Sequence, residues 1–372
     1  MNQKEVIIIG GGLAGLTAAI HLAKNDLFVT LFEKETYPHH KVCGEYLSRE
    51  VLPYMESLEI PVLEHNPKMI DKLFFSTHNG KYLENSLALG GLGISRYALD
   101  TILYRKAKEQ GVVFKHEKVH SISYNDDLHE IQTSEGTYKA SYVLGAYGKR
   151  AVLDNDLGRE FFRKPSPWVA VKSHYHHESF PEYLVALHSF KGGYCGLSKT
   201  ENEAVNVCYL ATYESFKQHK NPEIFKESVL QRNPFLDRFF TEAEDLFDKP
   251  LTIAQVSFSQ KSLVEDHVIM LGDAAGLIHP LCGNGMAMAI HSAKIASESL
   301  LKHLQLKTDR KDLEREYVAA WKTQFHRRMM VGKWLQKILL NESFTSISQS
   351  IITKMPFLLP AIIKQTHGHA IN

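Results

Sequence analysis

Three groups of residues have the types and spacing to do chemistry. The first, Gly10-Gly11-Gly12-Leu13-Ala14-Gly15, fits G-x-G-x-x-G and directly follows the β-branched, apolar run Val6-Ile7-Ile8-Ile9. In such a turn the first glycine lets the chain reverse, the second lets a pyrophosphate reach the backbone, and the third lets helix pack close on strand. The phosphates then rest on a helix N-terminus, where unpaired N–H groups and the dipole favour anions. A second strand over residues 27–32 ends at Glu33. An acid there, roughly twenty residues on, accepts ribose hydroxyls and argues against a 2′-phosphate. Gly10, Gly12, Leu13, Ala14, Gly15, Glu33 and the adjoining Lys34 therefore read as a dinucleotide site. Its place between two strands separates this turn from glycine turns of purely steric origin.

The second group is Lys41-Val42-Cys43-Gly44-Glu45, in the loop that follows Glu33. Loops leaving the second strand of such a fold border the bound cofactor. Cys43 reads equally as a thiol or proton source beside a redox cofactor and as a small buried residue before a turn glycine. His39 and His40 read as solvated loop histidines. The third group begins after the apolar strand 268–271, with Gly272-Asp273-Ala274-Ala275-Gly276. It continues through Ile278-His279-Pro280-Leu281-Cys282-Gly283-Asn284-Gly285 into a long helix ending near Leu304. Its glycines let ligand atoms approach free N–H groups at the helix start. A nicotinamide dehydrogenase has no need of this second, remote turn, whereas a longer ligand does. Between the groups, Arg96 opens a helix that Gly111 stops. Arginine in a first turn opposes the dipole by ~0.3–1 kcal/mol. An anion or carbonyl-rich ring near Arg96 explains it, with a solvated arginine as the alternative.

The elements that must position these groups alternate. Residues 69–94 read as short strands with turn signals at His78-Asn79-Gly80 and Gly90-Gly91. Residues 112–146 read as further strands, turning at Asn125-Asp126-Asp127 and Glu135-Gly136 and running into a second glycine turn, Gly145-Ala146-Tyr147-Gly148. Residues 168–258 are rich in β signals around a helical insert near 221–232 and suit an antiparallel sheet that holds a substrate. His174, His176 and His177 lie in it, but no second ligand group has zinc spacing. They read as edge-strand histidines, and no metal is expected.

Bulk properties exclude some classes. The chain has 372 residues, 44% hydrophobic and 23% charged, enough for about two domains. A net charge of +1 gives no reason to expect nucleic acid. Cys43, Cys195, Cys208 and Cys282 show neither C-x-x-C spacing nor the density of a disulfide framework, so reduced thiols and a cytoplasmic setting are expected. The first strand begins almost at the initiator, so no leader is expected, and the apolar stretches fall short of the ~20 residues of a spanning helix.

Residues 10–33, Arg96 with Asp100, and Gly272-Asp273 through Gly285 resemble, in order and spacing, the flavoproteins built like para-hydroxybenzoate hydroxylase. Lys41–Glu45, Gly193-Tyr194-Cys195-Gly196 and Gly272–Gly276 look most like the geranylgeranyl reductase branch. The resemblance covers the chain to about residue 300. It implies FAD and an α/β fold: a discontinuous Rossmann-type FAD-binding domain (1–68, 95–160, 262–310), an inserted antiparallel-sheet substrate domain (69–94, 161–261) and C-terminal helices (311–372). Carried over, Gly10, Gly12 and Gly15 meet the pyrophosphate and Glu33 the adenosine ribose. Asp273 meets the ribityl chain, with a simple turn cap as its alternative, and Arg96 sits beside the cofactor. The backbone from Leu281 through Gly283, Asn284 and Gly285, with Met286 after it, faces the flavin. Cys43, Glu45 and His279 are candidates for proton transfer. Tyr147-Gly148 stands where many relatives have Asp-Gly. Loss of that aspartate argues against direct reduction by NAD(P)H, which stays a candidate transient donor. The tryptophan-rich sheet segment of the reductases and the tryptophan–lysine signatures of flavin halogenases are missing.

The expected activity is that of an FAD-dependent oxidoreductase, monooxygenase-like or reductase-like, on an aromatic, polyketide or isoprenoid compound. The alternatives are a plain nicotinamide dehydrogenase and a non-enzymatic flavin sensor. Arg327-Arg328, Lys333-Trp334 and Lys337 beside Met329, Met330, Leu335, Ile338 and Leu339 suggest a basic amphipathic helix. With the apolar segment 351–360 it could rest on the inner face of a membrane or line the way in for a lipophilic substrate. A helical pair closing the core explains these residues equally well.

Overall fold

The computed structural model describes residues 5–219, 221–279, 283–340 and 368–371, with side chains of the last long helix described as far as Trp334. Strand Glu5–Ile9 lies between Phe28–Phe32 and Tyr142–Gly145, all parallel, with Val113–Lys115 beyond the first and Val268–Met270 beyond the second. Numbered by chain position, these five have the spatial order 3-2-1-4-5 of a doubly wound sheet. Val264–Glu265 adds an antiparallel edge. Such strands are apolar on consecutive residues because both faces are covered. Helix Leu13–Lys24 packs against Arg96–Glu109 and Gly285–Leu306 on one side. A three-stranded sheet of Val119–Asn125, Leu128–Thr133 and Thr137–Ala140 packs on the other. The first hairpin of that sheet turns on Asp126 and Asp127, both at positive φ (49° and 62°), as a two-residue type I′ turn demands.

Two glycines fix the first turn. Gly10 has φ +105°, and a Cβ there would lie 2.4 Å from the Ala146 carbonyl oxygen. A Cβ on Gly15 would lie 1.9 Å from the carbonyl of Gly10. Helix start, turn and neighbouring strand thus close on one another without room for a methyl group.

The second sheet has nine strands, in the order Glu244–Asp245, Trp168–His176, Val205–Thr212, Gly193–Lys199, Leu184–Phe190, Lys68–Ser76, Tyr82–Gly93 and Tyr46–Ser48, with Leu251–Ala254 also on the second of these. It is mixed rather than antiparallel throughout, because Leu184–Phe190 runs parallel to Lys68–Ser76. A short hairpin would force antiparallel pairing, but these two strands are joined by the whole middle of the chain. Alternation sorts its residues. Val169, Val171 and Tyr175 pack under helices Pro222–Ser228 and Pro234–Glu242, while Trp168 and Ala170 face the cofactor side.

Helix Arg310–Leu340 packs against Gly285–Leu306, burying Tyr317, Trp321 and Phe325 and leaving Met330 and Trp334 half exposed. The expected basic face is incomplete. Arg328 is buried and donates to Glu50 Oε1 at 3.0 Å, and the backbone N–H groups of Gly368 and Ile371 also reach Glu50. Residues 351–360, with the side chains of Leu335, Lys337, Ile338 and Leu339, lie outside the described residues. Among the described residues no helix is long and apolar enough to cross a membrane.

Four histidines are buried neutral. Burial pulls His188 and His279 down to about 3, and burial followed by nearby Arg310 or Arg328 pulls His129 and His291 down to about 4. In the unfolded chain they take protons near pH 6.5. The fold therefore keeps their full contribution above pH 6.5 and loses it as pH falls towards 4, by about 1.4 kcal/mol per unit for each group. Urea unfolding at pH 7, 5.5 and 4.5 should show this fall, shallower in His188→Asn. Stability level across that range would refute it.

Candidate functional site

The connections leaving strands Glu5–Ile9 and Tyr142–Gly145 diverge beyond the touching turns at Gly10 and Ala146, and ligands of open α/β sheets bind in the crevice outside such a switch point. A cavity of about 1360 Å³ opens there. A single small-molecule pocket is typically ~300–1,000 Å³, so this one has room for a cofactor and a substrate. Gly10, Gly12, Leu13, Ala14, Glu33, Lys34, Cys43, Glu45, Arg96, Gly272, Asp273, Gly283, Asn284, Gly285 and Met286 all line it. Gly15 lies behind the lining and seats the helix. Pro280, Leu281 and Cys282 fall outside the described residues.

At one end, helix Leu13–Lys24 starts at Gly12 with no side-chain cap and no acid in its first turn, so its leading N–H groups keep their anion-binding capacity. A Cβ built on Gly12 would meet only Arg96 Nη2 at 3.6 Å and Lys41 Nζ at 4.0 Å. The backbone thus faces open space beneath two cations, which suits a pyrophosphate. Glu33 accepts from the Gly11 N–H (2.8 Å) and the Glu35 N–H (3.1 Å), which fixes the carboxylate at the strand end. Asp100 receives Arg96 in a two-point pair (2.7 and 2.8 Å) and Lys41 at 3.1 Å. Burial opposes its ionisation, but Arg96 and Lys41 hold its carboxyl below the usual range. Arg96 is therefore partnered by its own helix neighbour Asp100 and the Cys43 sulfur and does not stand in solvent. It still lines the cavity.

At the other end, the helix Gly285–Leu306 also begins without a side-chain cap or an acid in its first turn. Gly272 turns at φ +54° and its N–H donates to Ser292 Oγ at 3.1 Å, fixing the Asp273 turn on that helix. Both features fit a flavin whose negative charge faces a helix N-terminus.

The segment Lys41–Glu45 runs between the two sheets and is held from both. Lys172 Nζ donates to Lys41 O (3.2 Å) and Asn206 Nδ2 to Cys43 O (3.3 Å), both from the second sheet. Lys149 Nζ donates to Val42 O (3.2 Å) from the cofactor side. Cys43 is half-buried and faces the cavity. Glu45 is wholly buried at φ +52°, bonded to the Arg96 N–H (2.7 Å), to His174 Nε2 (2.7 Å) and to the equally buried Lys172. Burial raises its pKa, yet the His174 hydrogen bond and the Lys172 charge together hold it below the usual range. That carboxylate stays ionised, an anchor rather than the proton donor expected from sequence.

Two histidine readings are also corrected. His174 is buried on a strand flanked on both sides, and His40 packs among Tyr97, His174 and Phe247 instead of standing in solvent. Only His176 is exposed as expected; His177 stacks on Phe239. The tertiary fold recruits them, which local spacing does not record. His40, Glu45 and His174 bring ligand-type atoms within 4.8 Å of one another. Two imidazoles and a carboxylate can hold a metal, but Lys172 already neutralises this carboxylate. A divalent ion about 4 Å from an ammonium is repelled by roughly 8 kcal/mol at an effective dielectric constant of about 20. The group reads as a charge-balanced anchor. His279, the third proton-transfer candidate, sits outside the lining among Trp168, Tyr194 and Phe258, kept neutral by burial.

The remaining wall is the face of the second sheet. Leu73, Phe75, Val185, Leu187, Ala170 and Leu210 line it with Tyr194, Gly196 and Cys208, and among the described residues of 69–94 and 161–261 no charged side chain lines the cavity. The clamps on Lys41–Glu45 escaped sequence reasoning. Lys172, a charge directly after the apolar run Val169-Ala170-Val171 on the same strand, was the available signal.

Comparison with known proteins agrees with this geometry. The chain is 24% identical over 369 residues to the tryptophan 2-halogenase of Chondromyces crocatus, covering 93% of this chain and 69% of that protein. It is 23% identical over 388 residues to the digeranylgeranylglycerophospholipid reductase of Methanocaldococcus jannaschii, covering 95% and 96%. The fold matches the solved flavin-dependent brominase Bmp2 with a TM-score of 0.78 at 18% identity, over 99% of this chain and 94% of that one. Halogenase and reductase stand at nearly equal identity, so likeness does not choose the branch. The sequence profile of the FAD binding domain family matches residues 3–320, and the chain belongs to that family, as an FAD-dependent enzyme.

Proposed function

We propose that the enzyme transfers electrons between FAD and an uncharged, apolar small molecule, aromatic or isoprenoid, held against the second sheet. The observation that carries this reading is one continuous cavity with two unlike ends. Glycine turns, uncapped helix starts and cations lie at one end, and a sheet face without a charge at the other. FAD bound there supplies two-electron redox chemistry. The protein's residues orient and desolvate. The Gly12 turn takes the phosphates, Glu33 the ribose, and the sheet face excludes water from the substrate. A charged substrate would lose its hydration here with no counter-ion on the sheet. Cys43 offers an S–H at the boundary between the two ends.

Saturation of an isoprenoid double bond is the second reading, supported by the apolar run Leu73, Phe75, Val185 and Leu187 and by the Cys43 thiol facing it. The choice is made by product mass. A neutral polyprenyl lipid given to enzyme photoreduced without oxygen gains two hydrogens as the flavin is reoxidised. A neutral aromatic compound mixed with reduced enzyme and oxygen gains oxygen, or halogen where halide is supplied. The same assays started with NADH or NADPH test the nicotinamide donor. Turnover confined to carboxylated or phosphorylated substrates would sink the apolar reading.

Two variants separate the ends of the cavity. Gly12 has φ −88° and open space around it, so Gly12→Ala should fold normally yet bind FAD at least about tenfold more weakly, read by flavin fluorescence. A Cβ on Gly196 meets only Leu187 Cδ2 at 3.4 Å and Cys208 O at 3.7 Å. Gly196→Leu should therefore keep the flavin spectrum and lose turnover by about a hundredfold as its side chain fills the substrate end. Unchanged kcat/KM in that variant would place the substrate elsewhere.

A further inference from the structure

At the cavity wall, Lys149 in the lining and Lys261 behind it form a chain that no sequence motif explains. Lys149 Nζ donates to the Val42 carbonyl at 3.2 Å. The carbonyl of Lys149 itself accepts from Lys261 Nζ at 2.7 Å, and the same ammonium donates to the Asp273 carbonyl, also at 2.7 Å. The chain thus joins three loops, at Lys41–Glu45, at Tyr147–Arg150 and at Gly272–Ala274. Each supplies cavity lining, and each leaves a different strand of the cofactor sheet. Arg159 makes a second tie between the same two loops through side chain and backbone, donating to the Tyr147 hydroxyl (3.4 Å) and to the Ala274 carbonyl (2.9 Å), whereas Lys261 joins the Lys149 and Asp273 backbones to each other.

Lys261 is buried, with the Phe161 ring 4.4 Å from its nitrogen. Among the described residues its hydrogen-bond acceptors are the two carbonyl oxygens, so its charge balances no carboxylate in direct contact. Hydrogen bonds from an ionised donor are about twice as strong as neutral ones, which suits a brace between two backbones.

We propose that Lys261 is a positioning residue for FAD, acting with Lys149 to hold three cavity loops at the separation the bound cofactor needs. Removing the ammonium leaves the Lys149 and Asp273 carbonyls without that donor and frees the two turns to move apart. The apoprotein then has to order them when FAD enters, and affinity falls.

The brace is also titratable. Burial pulls the Lys261 ammonium down to about 8; Asp154 on helix Val152–Asp156 and Asp273 in the turn raise it, while Arg159 and Lys149 lower it. FAD brings a pyrophosphate anion into the cavity, which favours the charged lysine, so binding takes up a proton. Affinity is then level below pH about 8 and weakens above it, by up to tenfold per unit.

The test is titration of full-length apoprotein with FAD, followed by flavin fluorescence from pH 6.5 to 9.5, for wild type, K261R and K261M. Wild type should lose affinity by about threefold or more between pH 7 and 9.5. K261R keeps the donors without titrating in this range. It should bind like wild type at pH 7 and stay within about twofold up to pH 9.5. K261M should bind about tenfold more weakly at pH 7, with circular dichroism unchanged, and show no dependence on pH. Where K261M does not fold, the contrast between wild type and K261R decides alone. Equal pH slopes in wild type and K261R, or a folded K261M with wild-type affinity, would overturn the proposal.

Discussion

A parallel sheet whose strand order reverses leaves a crevice outside its carboxyl edge at the reversal. Connections leave Glu5–Ile9 and Tyr142–Gly145 towards opposite sides, and the space beyond the touching turns at Gly10 and Ala146 is what topology leaves behind. Everything chemical in the molecule is arranged around that gap. Helix N–H groups reach it from two directions because Leu13–Lys24 and Gly285–Leu306 both start at its rim. Neither start carries a capping side chain that would satisfy those groups internally.

The gap alone would bind an anionic cofactor without directing it at anything. The second sheet gives it a target, and the strap Lys41–Glu45 sets the distance between the two. That strap is bonded to Lys172 and Asn206 on one side and to Lys149 on the other. A buried lysine paired with a buried glutamate contributes little net stability compared with apolar packing. Its value lies in geometry, since Glu45 is held at a positive φ by three separate donors. A strained backbone kept in place by so many contacts commonly marks a functional position.

Much of this was legible in the sequence. The Gly10–Gly15 turn, Glu33 and the turns at Gly272 and Gly283 announce themselves because glycine and a terminal acid serve local backbone needs that leave a local trace. The parallel pairing of Leu184–Phe190 with Lys68–Ser76 leaves none, since register between distant strands is settled by packing. The same is true of His40 and His174. As residue types in a loop and on a strand they look ordinary, and only the folded chain sets them beside Glu45. Arg96 was noticed for a ligand, and the fold gives it a protein partner as well. An arginine in a first turn does need an anion, and Asp100 four residues on supplies it from within the helix. The branch of the family is not settled by likeness either, because a halogenase and a reductase match the chain at nearly equal identity.

Glu50 has a wider bearing than its place in a short turn suggests. Its carboxylate receives Arg328 from the last helix and the Gly368 N–H near the end of the chain, and it lies within 3.3 Å of Asn284, the residue before the helix Gly285–Leu306. Chain terminus and cofactor rim therefore grip the same two oxygens. Linkage between two such events is reciprocal. Whatever a ligand does to tighten Asn284 against Glu50 strengthens the seating of Gly368 by an equal factor, so the segment 368–371 is part of the flavin's own scaffolding.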